Sequence, residues 1–140
     1  MDFNKNGMLI NPDFHDGNLT GMRVAGKALQ LFLTTTDKRK FIVTIPNIIR
    51  MRADNFLEGN IVFDISVYQN AECSEGKLKS LYGYNEEQAQ KYLSKNLREI
   101  AEKNLSLFQL GSSYGCELLA LFSGSLQIES KSQELGRVSD

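Results

Sequence analysis

The stretch from Phe56 to Tyr68 constrains the fold more than any other, because turn residues lead directly into an alternating apolar run. Glu-Gly-Asn is followed by Ile-Val-Phe-Asp-Ile-Ser-Val-Tyr, which is typical of a β-strand entered through a tight turn. Successive strand side chains point to opposite faces, so one face is predicted to be dry and the other mixed. The predicted dry face holds Ile61, Phe63, Ile65 and Val67, and the mixed face holds Val62, Asp64, Ser66 and Tyr68.

Short turns divide the region before this strand into further alternating segments. Gly26-Lys27 suits a two-residue hairpin connection, and the charged residues 36–39 suit a second turn. Pro46-Asn47 interrupts the pattern, because proline cannot donate a hydrogen bond to a strand ladder. Strands joined by short turns predict an antiparallel meander. The predicted strands here are residues 19–25, 28–35, 41–45 and 48–53.

Residues 85–104 carry the clearest helix signal. Asn85 is a good N-cap and Gln88 stands three residues later, as in a capping box, while apolar residues recur at helical spacing along one stripe. Residues 69–84 before it are polar and weakly periodic, which predicts a long loop with a short strand at 78–82. Tyr82 and Tyr84 in that loop suit protein recognition, and they equally suit covering the edge of the core.

The chain of 140 residues is therefore predicted to be a single α+β domain, 1–140. We expect an antiparallel meander sheet of about six strands with one long helix packed on one face. Residues 1–11 are predicted to form a loosely held arm and residues 130–140 a frayed tail.

Composition excludes several classes of function. The formal net charge is −1 with acidic and basic residues interspersed, which argues against nucleic-acid binding. The apolar runs are far shorter than the roughly 20 residues that cross a bilayer, so no membrane role is expected. The start Met-Asp-Phe-Asn-Lys lacks the basic and apolar parts of a signal peptide, which predicts a cytoplasmic protein.

No cofactor motif is present. The sequence lacks the P-loop, GxGxxG and HExxH patterns, so we expect no cofactor. The only histidine is His15, and Cys73 and Cys116 lack metal-ligand spacing, so we expect neither a metal site nor catalytic residues. An enzyme is disfavoured on these grounds, because Ser112 or Ser113 would need His15 within reach to act as a nucleophile.

Two arginines share one side of the predicted strand 48–53. Arg50 and Arg52 are the nearest approach to an anion-binding pair, although a solvated or edge-protecting face explains them more simply. A spare edge strand in such a sheet would allow a homodimer.

Three short motifs resemble a group of small bacterial proteins of uncharacterised function. They are His15-Asp16, Glu58-Gly59-Asn60-Ile61 and Ser113-Tyr114-Gly115-Cys116-Glu117-Leu118. Some members of the group are similar to immunity proteins of toxin systems. The resemblance implies an α+β domain without established catalytic residues. It also implies one neighbourhood formed by His15, Asp16, Tyr114 and Glu117.

Two functions follow as alternatives. The first is a non-enzymatic protein-binding module, in its specific form an immunity-type inhibitor, which would form a stoichiometric complex with a protein partner. The second is a small-ligand-binding or hydrolytic protein, which would need a concave pocket around the same residues. That pocket would contain His15, Asp16, Ser113, Tyr114 and Glu117.

Overall fold

The computed structural model describes residues 1–69 and 73–131, and it shows an α+β fold built on an antiparallel sheet. In chain order the elements are β1 (Asp2–Phe3), β2 (Leu9–Asn11), β3 (Asn18–Ala25), β4 (Ala28–Thr34), β5 (Lys40–Ile45), β6 (Ile48–Asp54), β7 (Asn60–Tyr68), α1 (Glu75–Tyr82), α2 (Glu86–Lys103), β8 (Ser106–Tyr114), β9 (Glu117–Phe122) and β10 (Gln127–Lys131).

The main sheet is larger than the predicted six strands. It has eight, in the order β10-β5-β4-β3-β7-β8-β9-β6. Two meanders, β3-β4-β5 and β7-β8-β9, lie side by side, and the remaining strands β10 and β6 form the outer edges. The prediction of a simple meander was wrong, because β6 does not pair with β5. The chain turns at Asn47, whose φ is 46°, and β6 pairs with β9 at the opposite edge of the sheet.

Strand β8 is the element that the sequence pattern concealed. In the sequence, Gly111 interrupts the apolar run 105–110, yet the strand continues through it as far as Tyr114. A Cβ atom on Gly111 would lie 2.7 Å from the Asp64 carboxylate on the paired strand β7. The glycine therefore makes room for a neighbouring side chain and does not end the strand.

Two apolar cores lie on opposite faces of β8 and β9. Strands β3 and β7 pair only through Asn18 and Leu19, and one buried cluster includes residues from both meanders, which shows that the sheet folds over on itself. The second cluster joins the opposite face of the same strands to the two helices. The first cluster includes Leu31, Val43, Phe108, Ala120 and Phe122, and the second includes Leu78, Leu81, Ile100, Leu107 and Leu121.

Helix α1 occupies half of the segment 69–84 that was predicted to be a loop, so the described chain has two helices and not one. The short strand predicted at 78–82 was wrong, because these residues belong to the helix. Ser74 caps its start by accepting a hydrogen bond from the amide of Lys77, and Gly83 ends it at a φ of 70°. Arg52 donates to the carbonyl of Ser80 at 2.8 Å, and Arg50 donates to the carbonyl of Tyr82 at 3.4 Å. The two arginines are thus neither an anion site nor only a solvated face, because they bind the negative end of α1.

Helix α2 matches its prediction in both position and capping. Asn85 and Gln88 form the predicted capping box, and Asn104 ends the helix in the left-handed region. Tyr82 and Tyr84 stack at 5.2 Å and pack against the helical core, so they cover its edge. Neither helix in the described part of the chain has the length and apolar character of a membrane span.

The ends of the described chain are paired with strands. Residues 7 and 8 of the predicted arm contact β7, because the amide of Val67 donates to the carbonyl of Gly7 and Met8 bridges to Ser66. Ser130 and Lys131, the first residues of the predicted tail, pair with β5 as part of β10. The rest of that tail, 132–140, lies outside the described residues.

The side chain of Asn60 joins three parts of the sheet. Its amide nitrogen donates to the carbonyls of Leu19 and Leu57, and its amide oxygen accepts from the backbone amides of Leu57 and Cys116. Only 2% of Asn60 is exposed, and its bonds to Leu19 and Cys116 are buried, so those two backbone groups have no bulk water as a substitute. Gly115 fits beside it because a Cβ there would lie 2.3 Å from the Asn60 oxygen.

We expect Asn60→Asp to lower the free energy of unfolding by about 3 kcal/mol at neutral pH. The substitution keeps the shape but removes both donors and places a buried charge against two carbonyl oxygens. Urea denaturation followed by circular dichroism measures the change. Asn55→Asp is the control, because Asn55 is exposed and should lose no more than about 0.5 kcal/mol. Equal losses in the two variants would contradict the role given to Asn60.

Candidate functional site

A β-bulge in β7 reverses the predicted faces of that strand before Ile65, whereas Ile65 and Val67 face the core as predicted. Val62 pairs with Ser112 and Asp64 pairs with Gly111, so Phe63 is an extra residue in the ladder. Val62 and Ile65 are buried in the first core, whereas Phe63 is 54% exposed. The prediction that Phe63 lies on the dry face was wrong. The bulge places two consecutive side chains, those of Phe63 and Asp64, between the inward-facing side chains of Val62 and Ile65.

The turn that carries His15 and Asp16 is fixed to the same part of β7. Phe14 anchors it in the core, where its ring meets that of Phe41 edge-on at 5.4 Å. The amide of Asp16 donates to the carbonyl of Val62 at 2.9 Å. Asp16 adopts a φ of 63°, and this left-handed conformation lets its carboxylate turn back toward the ring of His15.

The imidazole of His15 lies against Phe63. Its Nδ1 atom is 2.8 Å from the Phe63 carbonyl oxygen, and the two rings meet edge-on with centroids 5.5 Å apart. A carbonyl oxygen only accepts hydrogen bonds, so Nδ1 carries a proton. The Nε2 atom then faces the Asp16 carboxylate, 3.5 Å away. The side chains of these adjacent residues meet because they belong to a turn, whereas in a strand they would point to opposite faces.

Its surroundings raise the pKa of His15 above its ordinary value of 6.5. The hydrogen bond to the Phe63 carbonyl is the largest cause, the Asp16 carboxylate is the next, and Asp13 and Asp64 add smaller contributions. The resulting stabilisation of the fold is fully present below the pKa of the unfolded chain and is lost as pH rises through the folded pKa.

We give the name Phe63 surface to the patch formed by the half-buried Asp64 and five exposed residues, Ile10, Asp13, His15, Asp16 and Phe63. All of its members except Asp16 line a groove of about 350 Å³, whose floor consists of Met8, Leu9, Phe14 and Ile65. Ile10 is 48% exposed, so apolar side chains are open to solvent on both sides of the groove. No lysine or arginine of the described chain lines it.

The other two predicted site residues, Tyr114 and Glu117, have hydrogen-bond partners other than His15 and Asp16. The Tyr114 hydroxyl lies 3.4 Å from a carboxylate oxygen of Glu58, and Glu117 accepts from the Ser112 hydroxyl at 3.4 Å. Within residues 1–69 and 73–131, no hydrogen bond or ion pair joins either of them to His15 or Asp16. Glu117 instead borders a cavity of about 200 Å³ beside α1, together with Arg52 and Lys77.

Sequence reasoning missed Phe63, because strict alternation assigned it to the core. Asp64 was the available signal, since a carboxylate inside a buried strand needs either an open face or a cationic partner. The structure gives it the open face near His15, and the pairing with Arg50 or Arg52 that a covered face would have required does not form. A carboxylate and a bulge thus occur at the same place in the strand.

Comparison with protein-family models, with curated proteins and with solved structures gave no match. The chemistry of the surface therefore has to be judged from its geometry alone. Across the described ranges, no three His, Cys, Asp or Glu side chains are grouped as a metal site requires. What the Phe63 surface offers is an exposed aromatic ring, an aliphatic neighbour and three carboxylates around one imidazole.

We expect the imidazole of His15 to titrate with a midpoint above 6.5 in the wild-type protein. Asp16→Asn should lower the midpoint, because it removes the nearest charge while asparagine tolerates the left-handed backbone. The midpoint should stay above 6.5, since the Phe63 carbonyl still accepts from Nδ1. Proton NMR measures this directly, because the sequence contains a single histidine.

Glu102→Gln removes an equal charge from the exposed face of α2 and serves as the control for that titration. It should leave the midpoint of His15 unchanged, because Glu102 is not among the groups that act on the imidazole. An Asp16→Asn variant that titrates like the wild type would refute the contact between the two side chains.

Proposed function

We propose that the chain is a non-enzymatic protein-binding module and that the Phe63 surface is where its partner docks. The observation that carries the proposal is the bulge that holds Phe63 54% exposed within a strand whose neighbouring residues Val62 and Ile65 are buried. Bulges are concentrated at sites where a strand must re-aim a side chain. An aromatic ring surrounded by polar groups is the usual composition of an interface hot spot.

The local geometry supports a preformed docking surface. Phe63 lies between the paired residues Val62 and Asp64, and its exposed ring is braced edge-on by His15, whose own position is fixed by a hydrogen bond to the Phe63 backbone. A braced aromatic ring loses little conformational freedom when a partner binds, so more of the contact energy contributes to affinity. The groove beside it gives a partner side chain a place to enter.

The immunity-type inhibitor is the specific form of this proposal. It rests on the resemblance of the three sequence motifs to small bacterial proteins, some of which are similar to toxin immunity proteins. Such an inhibitor acts by stoichiometric binding and needs no catalytic group, which agrees with a surface that combines an apolar anchor with charged groups at its rim.

The alternative of a small-ligand or hydrolytic site has weaker support in the geometry. The groove lining includes His15 but neither Tyr114 nor Ser113. The neighbouring hydroxyl of Ser112 donates to the carbonyl of Gly115 and to Glu117, and within the described residues it has no contact with the imidazole. Activation of a serine nucleophile requires that contact with a base.

We expect a stoichiometric protein partner to be captured from a lysate of the source organism by the tagged wild-type chain. Phe63→Ala should weaken the complex by about thirtyfold, which corresponds to the roughly 2 kcal/mol of an aromatic hot spot. Native mass spectrometry identifies the partner, and titration with the purified partner measures the affinity.

Val24→Ala is the matched control for this experiment, because Val24 is an apolar side chain on β3 that is 68% exposed and lies outside the Phe63 surface. It should bind the partner as tightly as the wild type, and thermal unfolding should show that both variants are folded. Equal binding by Phe63→Ala, or capture of a small molecule in place of a protein, would overturn the proposal.

A further inference from the structure

We infer that the partner carries positive charge where it contacts the Phe63 surface. It presents lysine or arginine side chains around an apolar pocket that receives Phe63. This inference rests on the proposed function, because it specifies the chemistry of the same docking surface. It is drawn from the charges around Phe63 and from how the rest of the chain pairs its own carboxylates.

The carboxylates of the Phe63 surface are left without lysine or arginine partners. In the described part of the chain, Asp13, Asp16 and Asp64 form no salt bridge with either residue type. Four other acidic residues are paired in this way, namely Asp37 with Arg39, Asp54 with Arg52, Glu86 with Lys79 and Glu99 with Lys103. The three aspartates differ from other carboxylates without such a pair, for example Glu87 and Glu102 on α2, because all three act on one imidazole beside the exposed ring of Phe63.

The surface already stabilises one positive charge. The carboxylate of Asp16 lies 3.5 Å from Nε2 of His15, and Asp13 and Asp64 act on the same imidazole. The Asp16 side chain is 63% exposed and retains acceptor capacity, because a carboxylate accepts several hydrogen bonds. A guanidinium or ammonium group from a partner would use the same field that favours the imidazolium.

A cationic partner would also offset the free energy that is lost when the carboxylates of the Phe63 surface are removed from water. A wholly apolar partner would bury the carboxylates without compensation, and an acidic partner would place like charges beside Asp16 and Asp64. A partner with an apolar centre and a basic rim satisfies both Phe63 and the carboxylates. Nucleic acid is disfavoured by the same repulsion, since its backbone is negatively charged.

Selection from a phage-displayed library of random peptides tests the inference without knowledge of the natural partner. The library is selected on the wild-type protein and depleted on Phe63→Ala, so that the surviving peptides are those that require Phe63. We expect them to be enriched in lysine and arginine together with aromatic or aliphatic residues. Phe63-dependent peptides that are neutral or acidic would overturn the inference and leave the docking surface standing.

A second measurement separates local from overall charge. Binding of the best basic peptide should weaken about tenfold on the double variant Asp16→Asn/Asp64→Asn. It should be unchanged on Glu87→Gln/Glu102→Gln, which removes the same charge from exposed positions on α2. Equal weakening of both variants would refute the local role of the carboxylates. Failure to obtain any Phe63-dependent peptide would count against the docking surface itself.

Discussion

The buried side chain of Asn60 is the contact on which the arrangement of the sheet depends. Strands β3 and β7 share only the pairs at Asn18 and Leu19, so ladder hydrogen bonds alone hold the two meanders together weakly. The Asn60 amide adds bonds to the Leu19 carbonyl on one side and to the Cys116 amide on the other. Because these groups are buried, each bond that is lost leaves a polar group unsatisfied, which costs about 1–3 kcal/mol. A single amide therefore fixes where the sheet folds over.

This constraint bears directly on the Phe63 surface, which begins three residues further along β7. With Asn60 fixed, Val62 must enter the first core, and the amide of Val62 in turn donates to the carbonyl of Gly17 beside the His15 turn. The strand can then return to core spacing at Ile65 only if an extra residue is placed outside the ladder. Phe63 is that residue, so its exposure follows from two buried neighbours at a spacing that simple alternation does not allow.

The sequence predicted those parts of the fold that depend on residues close to one another in the chain. The capping box of Asn85 and Gln88 located α2, and Gly26-Lys27 located the β3-β4 hairpin. Strand β8 was not predictable, because the reason for Gly111 is a carboxylate more than forty positions away in the sequence. The same limit applied to Arg50 and Arg52, whose partners are carbonyls at the end of a helix that the polar sequence of 69–84 did not signal.

The three motifs that carry the sequence resemblance contain two physically different kinds of residue. Asn60 and Gly115 are buried against each other, since a Cβ on Gly115 would lie 2.3 Å from the amide oxygen of Asn60. Packing alone is enough to explain why such residues occur together. His15 and Asp16 are exposed, and the fold gains little by holding exposed charges. The fold therefore explains the buried residues of the motifs and leaves the exposed ones, His15 and Asp16 among them, as those that our proposal has to account for.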